Sequence, residues 1–366
     1  MSDTSRVAAT LADGRELIYF YDDTSRAVPP PPDLRPLPPR SDLIELRRDP
    51  LRGEWVSITA QRNDRTFLPD AAECPLCPSR DGRLSEIPAS DYDVVAFENR
   101  FPSFAVPPAD EPDPGPVDGQ ELFARRPGAG RCEVLAFSSD HDGSFAGLPA
   151  RRVKTIIKAW VDRTAALSAL PGVQQVYCFE NRGAEIGVTL HHPHGQIYAY
   201  PLLPPRTAQV LDATREHKER TGGDLFADIL KAETTAGTRV VLTGEHWTAF
   251  VPAAARWPFE LHLFPHRQVG AFPELTDAER DELAEVYPRL LRACDDYYGT
   301  PLPYVAGWHQ APRGAEDSYR LHLELFSVQR AKGKLKFLAG SESGMAVWIN
   351  DVLPETVAER LREVLK

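Results

Sequence analysis

A repeat inside the chain constrains its fold more than any other feature. "EVLAFSSDHDGSF" begins at Glu133 and "ELHLFPHRQVGAF" at Glu260; laid over each other at an offset of 127 residues, they place Phe137 on Phe264 and Phe145 on Phe272. The same offset carries Val153 onto Arg280 and brings "FENRG" near "GWHQA", and an offset of 128 sets His194 on His322. Two matching halves must each bury a matching apolar face. The repeat therefore predicts an α+β fold of two similar halves, each an antiparallel sheet with a helix packed across it, split near Pro205.

Helical periodicity agrees with that division. Val153, Ile156, Ile157, Trp160, Val161 and Leu167 share one face of a first helix. A second starts at the capping-box pattern Thr276-x-x-Glu279 and runs through Leu283, Val286, Leu290 and Leu291. A third has Pro354 in its first turn and Val357, Leu361 and Val364 behind it. Residues 1–40 end in "AVPPPPDLRPLPPR", whose prolines favour extended backbone and supply no sheet donors, so they read as an arm ahead of domains 41–205 and 206–366. Residues 106–130, rich in Pro, Gly and acidic side chains, read as a long surface loop.

Composition mainly excludes partners. A net charge of −11 argues against a general nucleic-acid or anionic-membrane binder. No apolar run approaches the roughly 20 residues that span a bilayer, and "MSDTSRVAAT" lacks the basic start and hydrophobic stretch of a secretion signal, so a cytoplasmic protein is expected. Five cysteines in such a chain do not suggest a disulfide framework.

The chemistry concentrates around "TLHHPHGQIYAY". In an extended strand His192, His194 and Gln196 point one way and His191, Pro193 and Gly195 the other. Glycine at 195 suits a place where a ligand's phosphate closely approaches the backbone. Cys74-x-x-Cys77 has the spacing of half a zinc site or of a redox pair; His141 and one histidine of the 191–194 cluster could complete a closed Cys2His2 set. In the second half His322 and Glu324 share a strand face and His309 stands nearby, as a second metal site or as a hydrogen-bonded core network.

Together "ECPLCP", "SSDHDGSF", "FENRGAEIGVTLHHPHGQIYAY", "GWHQAP" and "KFLAGSE" resemble the galactose-1-phosphate uridylyltransferase family, a branch of the histidine-triad superfamily, in order over about residues 42–366. The resemblance implies histidine-triad-like halves and ping-pong exchange: UDP-glucose and galactose 1-phosphate give UDP-galactose and glucose 1-phosphate through a uridylylated histidine. It makes His194 the nucleophile and Gln196 the donor to a phosphoryl oxygen, with a structural zinc on Cys74, Cys77, His141 and His192. Asn99 and Phe101 fall where the family holds uridine and ribose; Asn181, Gly187, Val188 and Thr189 fall around the phosphates, and Arg47 is a candidate phosphate ligand. Lys336, Phe337, Ala339 and Glu342 align with a hexose-side segment that the partner subunit supplies, which implies a homodimer with shared active sites.

The chain departs from the family where a second metal, iron or zinc, would sit. Val210 stands where a ligating glutamate is expected and Glu324 replaces a histidine, leaving His309, His322 and Glu324 as its candidates. Asn350 lies near the place of a sugar-touching glutamine. Two other functions fit parts of the pattern. A nucleoside-diphosphate-sugar or dinucleotide phosphorylase would keep His194 but pass the nucleotide to phosphate or sulfate. A nucleotide sensor or zinc scaffold would keep the cysteines and have no use for His194 beside Gln196.

Overall fold

A computed structural model describes residues 5–38, 44–64, 67–80, 82–107 and 113–365. The expected boundary at 40/41 lies outside the described residues. The first half runs β1 (Arg6–Thr10), β2 (Glu16–Phe20), β3 (Glu45–Arg48), β4 (Trp55–Ile58), β5 (Val94–Glu98), β6 (Arg125–Pro127), β7 (Arg131–Ala136), α1 (Ala150–Ser168), β8 (Gln175–Arg182) and β9 (His194–Tyr200). The second runs α2 (Pro205–Thr221), α3 (Leu225–Ala236), β10 (Val240–Thr243), β11 (Trp247–Phe250), β12 (Phe259–Pro265), α4 (Asp277–Tyr298), β13 (Tyr304–His309), β14 (His322–Ser327), β15 (Gln329–Ala331), β16 (Lys334–Leu335) and α5 (Pro354–Val364).

The fold is α+β, and its two antiparallel sheets fuse into one. Eleven strands pair in the order β1-β2-β5-β7-β9-β8-β13-β14-β12-β11-β10. Outward from the middle, β8-β9-β7-β5 mirrors β13-β14-β12-β11, and β8 pairs antiparallel with its own counterpart β13, with Phe179 opposite Gly307. That join is a local two-fold. The repeat is visible in the elements themselves: α1 begins at Ala150 and α4 at Asp277, and the 3-10 turns before them begin at Phe145 and Phe272.

Both helices lie on one face of the sheet and share a single core. Trp160 of α1 stacks on Phe145 (6.1 Å between centroids) and on its repeat partner Phe272 (5.2 Å), and Tyr287 of α4 packs against Phe145 at 4.9 Å. Such rings each withdraw about 150–250 Å² from water, which makes this seam a main source of cohesion between the halves. Helix α4 starts as its capping box predicts: Glu279 donates its N–H to the Thr276 hydroxyl, and the Thr276 N–H donates to the Glu279 carboxylate at 2.7 Å. Among the described residues no helix is long and apolar enough to cross a membrane.

The N-terminal expectation needs correction. Residues 6–20 form a hairpin within the main sheet, turned at Asp13-Gly14 where Gly14 has φ 86°, so only the proline-rich stretch beyond it runs as an arm. Leu17, Tyr19 and Tyr21 of this segment pack with Cys74, Leu76, Cys77 and Tyr92, and buried Arg15 pairs with Glu86 at 2.6 Å. The opposite face of the sheet is covered differently in each half. In the first, the small β4-β3-β6 sheet packs over Tyr198 and Tyr200; in the second, α2 and α3 cover Phe250 and Phe264.

Candidate functional site

Cys74 and Cys77 close a tight loop, His141 follows β7, and His192 sits in the bend just before β9. Their ligand atoms all lie within 4.8 Å of one another, the one such group among the described residues. Cys77 Sγ is 3.4 Å from His141 Nδ1 and 3.6 Å from His192 Nδ1. A tetrahedral zinc with bonds of about 2.3 Å to sulfur and 2.0–2.1 Å to nitrogen requires S···N edges of roughly 3.5 Å, so the donor set fits that metal.

The surroundings prepare these groups as ligands. His192 Nε2 donates to the Ser138 carbonyl at 2.7 Å and lies 2.9 Å from the Tyr92 hydroxyl, which fixes Nδ1 as the unprotonated nitrogen facing the sulfurs. Burial pushes the His192 ring down to about 4, keeping it neutral. Burial, with the neighbouring Cys77, pushes the Cys74 thiol up to about 11, and a divalent cation would reverse that by stabilising the thiolate.

Two residues further on, the direction changes. β9 begins at His194, so His192 does not share its strand face as the sequence suggested; it is fully buried while His194 is half-buried. His194 Nδ1 donates to the His192 carbonyl at 2.7 Å, leaving Nε2 with the lone pair. Burial holds the ring below its ordinary pKa of about 6.5, so the neutral form prevails at pH 7. Gly195 faces the core, where a Cβ would come 2.8 Å from the Phe137 ring; packing rather than a phosphate requires glycine here.

A pocket of about 150 Å³ is lined by His194, Gln196, Asn181, Gly187, Val188, Thr189, Phe179, Tyr198 and Arg62. It unites six residues singled out from the sequence, and Asn181, Val188 and His194 also face an adjoining cavity of about 200 Å³. The Gln196 carboxamide has no hydrogen-bond partner among the described residues and is open to a ligand. Arg62 was missed because nothing in "TAQRND" marks it; its guanidinium reaches the pocket while donating to the Phe101 carbonyl (3.0 Å) and Ser103 Oγ (2.8 Å).

Other expected residues lie elsewhere. Asn99 and Phe101 form the turn after β5, where the Phe101 N–H donates to Asn99 Oδ1; neither lines the pocket, and the Phe101 carbonyl accepts from Arg62, which does. Arg47 on β3 pairs with Glu45 at 3.0 Å and does not line the pocket. Lys336 pairs with Glu342 at 3.3 Å in a turn that includes Ala339, neighbouring Phe337 is 78% exposed, and none of the four lines the His194 pocket of the same chain. Asn350 donates to the Ala255 and Trp257 carbonyls and accepts from the Val352 N–H, which leaves it no donor for a sugar.

The suggested second metal triad is brought together but already holds a cation. His309 Nε2 is 3.5 Å from Glu324 Oε2 and His322 Nε2 is 3.6 Å from Glu324 Oε1, while Arg206 Nη2 contacts Glu324 Oε2 at 2.6 Å. A metal bound to that oxygen would collide with the guanidinium, so the set as it stands does not fit one.

Comparison with known proteins gives the geometry a context. Residues 40–204 match the family described as galactose-1-phosphate uridyl transferase, N-terminal domain, and residues 210–366 match its C-terminal domain. A galactose-1-phosphate uridylyltransferase of Streptomyces lividans is 46% identical over 372 residues, covering 98% of each chain. One of Thermotoga maritima is 37% identical over 88% of this chain and 98% of its own. A solved uridylyltransferase superposes with a TM-score of 0.77 at 33% identity, over 88% of this chain and 98% of that one. An ADP-glucose phosphorylase from Arabidopsis thaliana shares the fold at a TM-score of 0.65 and 23% identity, covering 87% and 99%.

Proposed function

The chain belongs to the galactose-1-phosphate uridylyltransferase family, and from that premise we propose that it passes UMP from UDP-glucose to galactose 1-phosphate through His194. The chain is a nucleotidyltransferase; the observation that carries the residue-level reading is the bond from His194 Nδ1 to the His192 carbonyl, in a pocket shared with Gln196 and Asn181. That bond fixes the tautomer, so Nε2 attacks the α-phosphorus, the N–P bond forms, and the P–O bond to glucose 1-phosphate breaks with its electrons on the departing phosphate. Nδ1 keeps its proton, so the adduct is an imidazolium-like phosphoramidate from which a second sugar phosphate oxygen can displace the imidazole. Neither sugar phosphate needs a proton on leaving. Gln196 donates to a non-bridging oxygen without offering an acid, and Arg62 supplies positive charge at the same pocket.

Cys74, Cys77, His141 and His192 would hold a structural zinc, whose contribution is to pin the Cys loop to the bend from which β9 and His194 start. We further place the hexose-side residues in trans. Phe337, Met345, Val347, Ile349 and Leu353 are all more than half exposed in the segment that carries Lys336 and Glu342, a surface suited to a second copy of the chain. Ile349→Asp should therefore sediment as a monomer; if the wild type is itself monomeric at micromolar concentration, the shared-site reading fails.

The function is tested with UDP-glucose labelled in the α-phosphate. The chain should take up acid-labile, base-stable label, and galactose 1-phosphate should release it as UDP-galactose. Release by inorganic phosphate alone would instead assign a phosphorylase.

A further inference from the structure

The second half carries a counterpart of the catalytic face. One row of paired residues crosses the sheet through Gln196, Phe179, Gly307 and Glu324, so Glu324 occupies the position about the local two-fold that Gln196 holds in the first half. His322 corresponds to His194 and makes the same bond: its Nδ1 donates to the backbone carbonyl two residues earlier, Arg320, at 2.8 Å. Its Nε2 is thereby left facing Glu324, and His309 stacks on it at 5.0 Å between centroids.

Two imidazoles and a carboxylate are donor types that a divalent transition metal takes. Here the charge on Glu324, whose side chain is 12% exposed, is met by Arg206, the second residue of α2, which comes within 2.6 Å of Oε2. Nearby His262 is engaged by Glu260 at 3.1 Å. A metal would need Oε2 or the space beside it at about 2.0–2.2 Å, and a dication there would face the guanidinium at close range.

We propose that Arg206 is a built-in cation standing where a divalent metal would otherwise bind to His309, His322 and Glu324, so that the chain carries one metal rather than two. The arrangement anchors the crossing between the halves, because Arg206 follows Pro204 and Pro205 and its ion pair ties the start of α2 to β14. It also supports the wall of the catalytic pocket: the Tyr177 ring lies between His309 (5.2 Å) and Phe179 (5.1 Å).

Cobalt titration tests this on the full chain, since a thiolate-rich tetrahedral cobalt site absorbs far more strongly in the visible than one with only nitrogen and oxygen ligands. Wild type should bind one equivalent with the thiolate signature, and excess cobalt should add none. Arg206→Ala should bind a second equivalent with the weaker signature, and Arg206→Lys, which keeps a cation, should remain at one. A second equivalent in wild type that disappears in His322→Asn overturns the proposal whether or not Arg206→Ala folds. A folded Arg206→Ala chain that stays at one equivalent overturns it as well. Loss of the thiolate signature alone would count against the Cys2His2 site and not against this inference.

Discussion

His194→Asn is expected to keep the fold and the bound metal while losing uridylyl exchange by on the order of 10⁴-fold or more, a barrier increase of about 5 kcal/mol. Asparagine fills the space of a half-buried imidazole but has no nitrogen lone pair able to form the phosphoramidate, so the two-step route closes. Isotope exchange between UDP-glucose and labelled glucose 1-phosphate, which requires only the first half-reaction, is the direct measurement. A variant that exchanges within tenfold of wild type would show that another group attacks phosphorus. The same side chain sets the pH dependence. Because burial holds His194 below about 6.5, single-turnover uridylylation should be level at neutral pH and fall only when the ring protonates at lower pH. An acid limb centred above 6.5 would contradict that environment.

Cys77→Ser is expected to reduce bound zinc from one per chain to a small fraction and to destabilise the first half by at least about 3 kcal/mol, lowering Tm by on the order of 5–10 °C. Cys77 is the thiol that contacts both histidines, so its loss removes one corner of the tetrahedron and all three of its edges. The loop then no longer fixes the bend at His192, whose carbonyl sets the His194 tautomer, and activity should fall together with metal content. Tyr92→Phe removes the hydroxyl beside His192 Nε2 together with its hydrogen bond to the Leu76 carbonyl in the cysteine loop, and should weaken zinc binding by about tenfold while keeping all four ligands. Metal analysis paired with calorimetry decides the matter: unchanged zinc and Tm in Cys77→Ser would remove the structural role.

Much of this was legible because it depends on local pattern. The offset that superposes Phe145 on Phe272 also superposes the starts of α1 and α4, and the Cys74-x-x-Cys77 spacing marks half of the ligand set; His141 and one of the 191–194 histidines are candidates for the rest, and the family resemblance singles out His192. The misses have physical reasons. The Asp13-Gly14 turn is a strong hairpin signal, but the prolines beyond it dominated the reading of the whole N-terminal segment. Helix α2 buries little apolar surface, so its periodicity is weak, and Arg206 gains meaning only through a contact with a strand more than a hundred residues away. Arg62 reaches the pocket for the same non-local reason. Gly195 was assigned to ligand approach when the space is taken by Phe137, a neighbour that the sheet register supplies and the motif does not.

The antiparallel seam between β8 and β13 also bears on how the molecule comes to be folded. Cut at Pro204, the first half would present β8 as a bare edge, and the second half would do the same with β13. In the present chain the pairing strands lie more than a hundred residues apart, so β8 has no β13 to pair with until the second half has been synthesised. Until then β8 is an unpaired strand edge of the nascent first half, open to pairing with another chain.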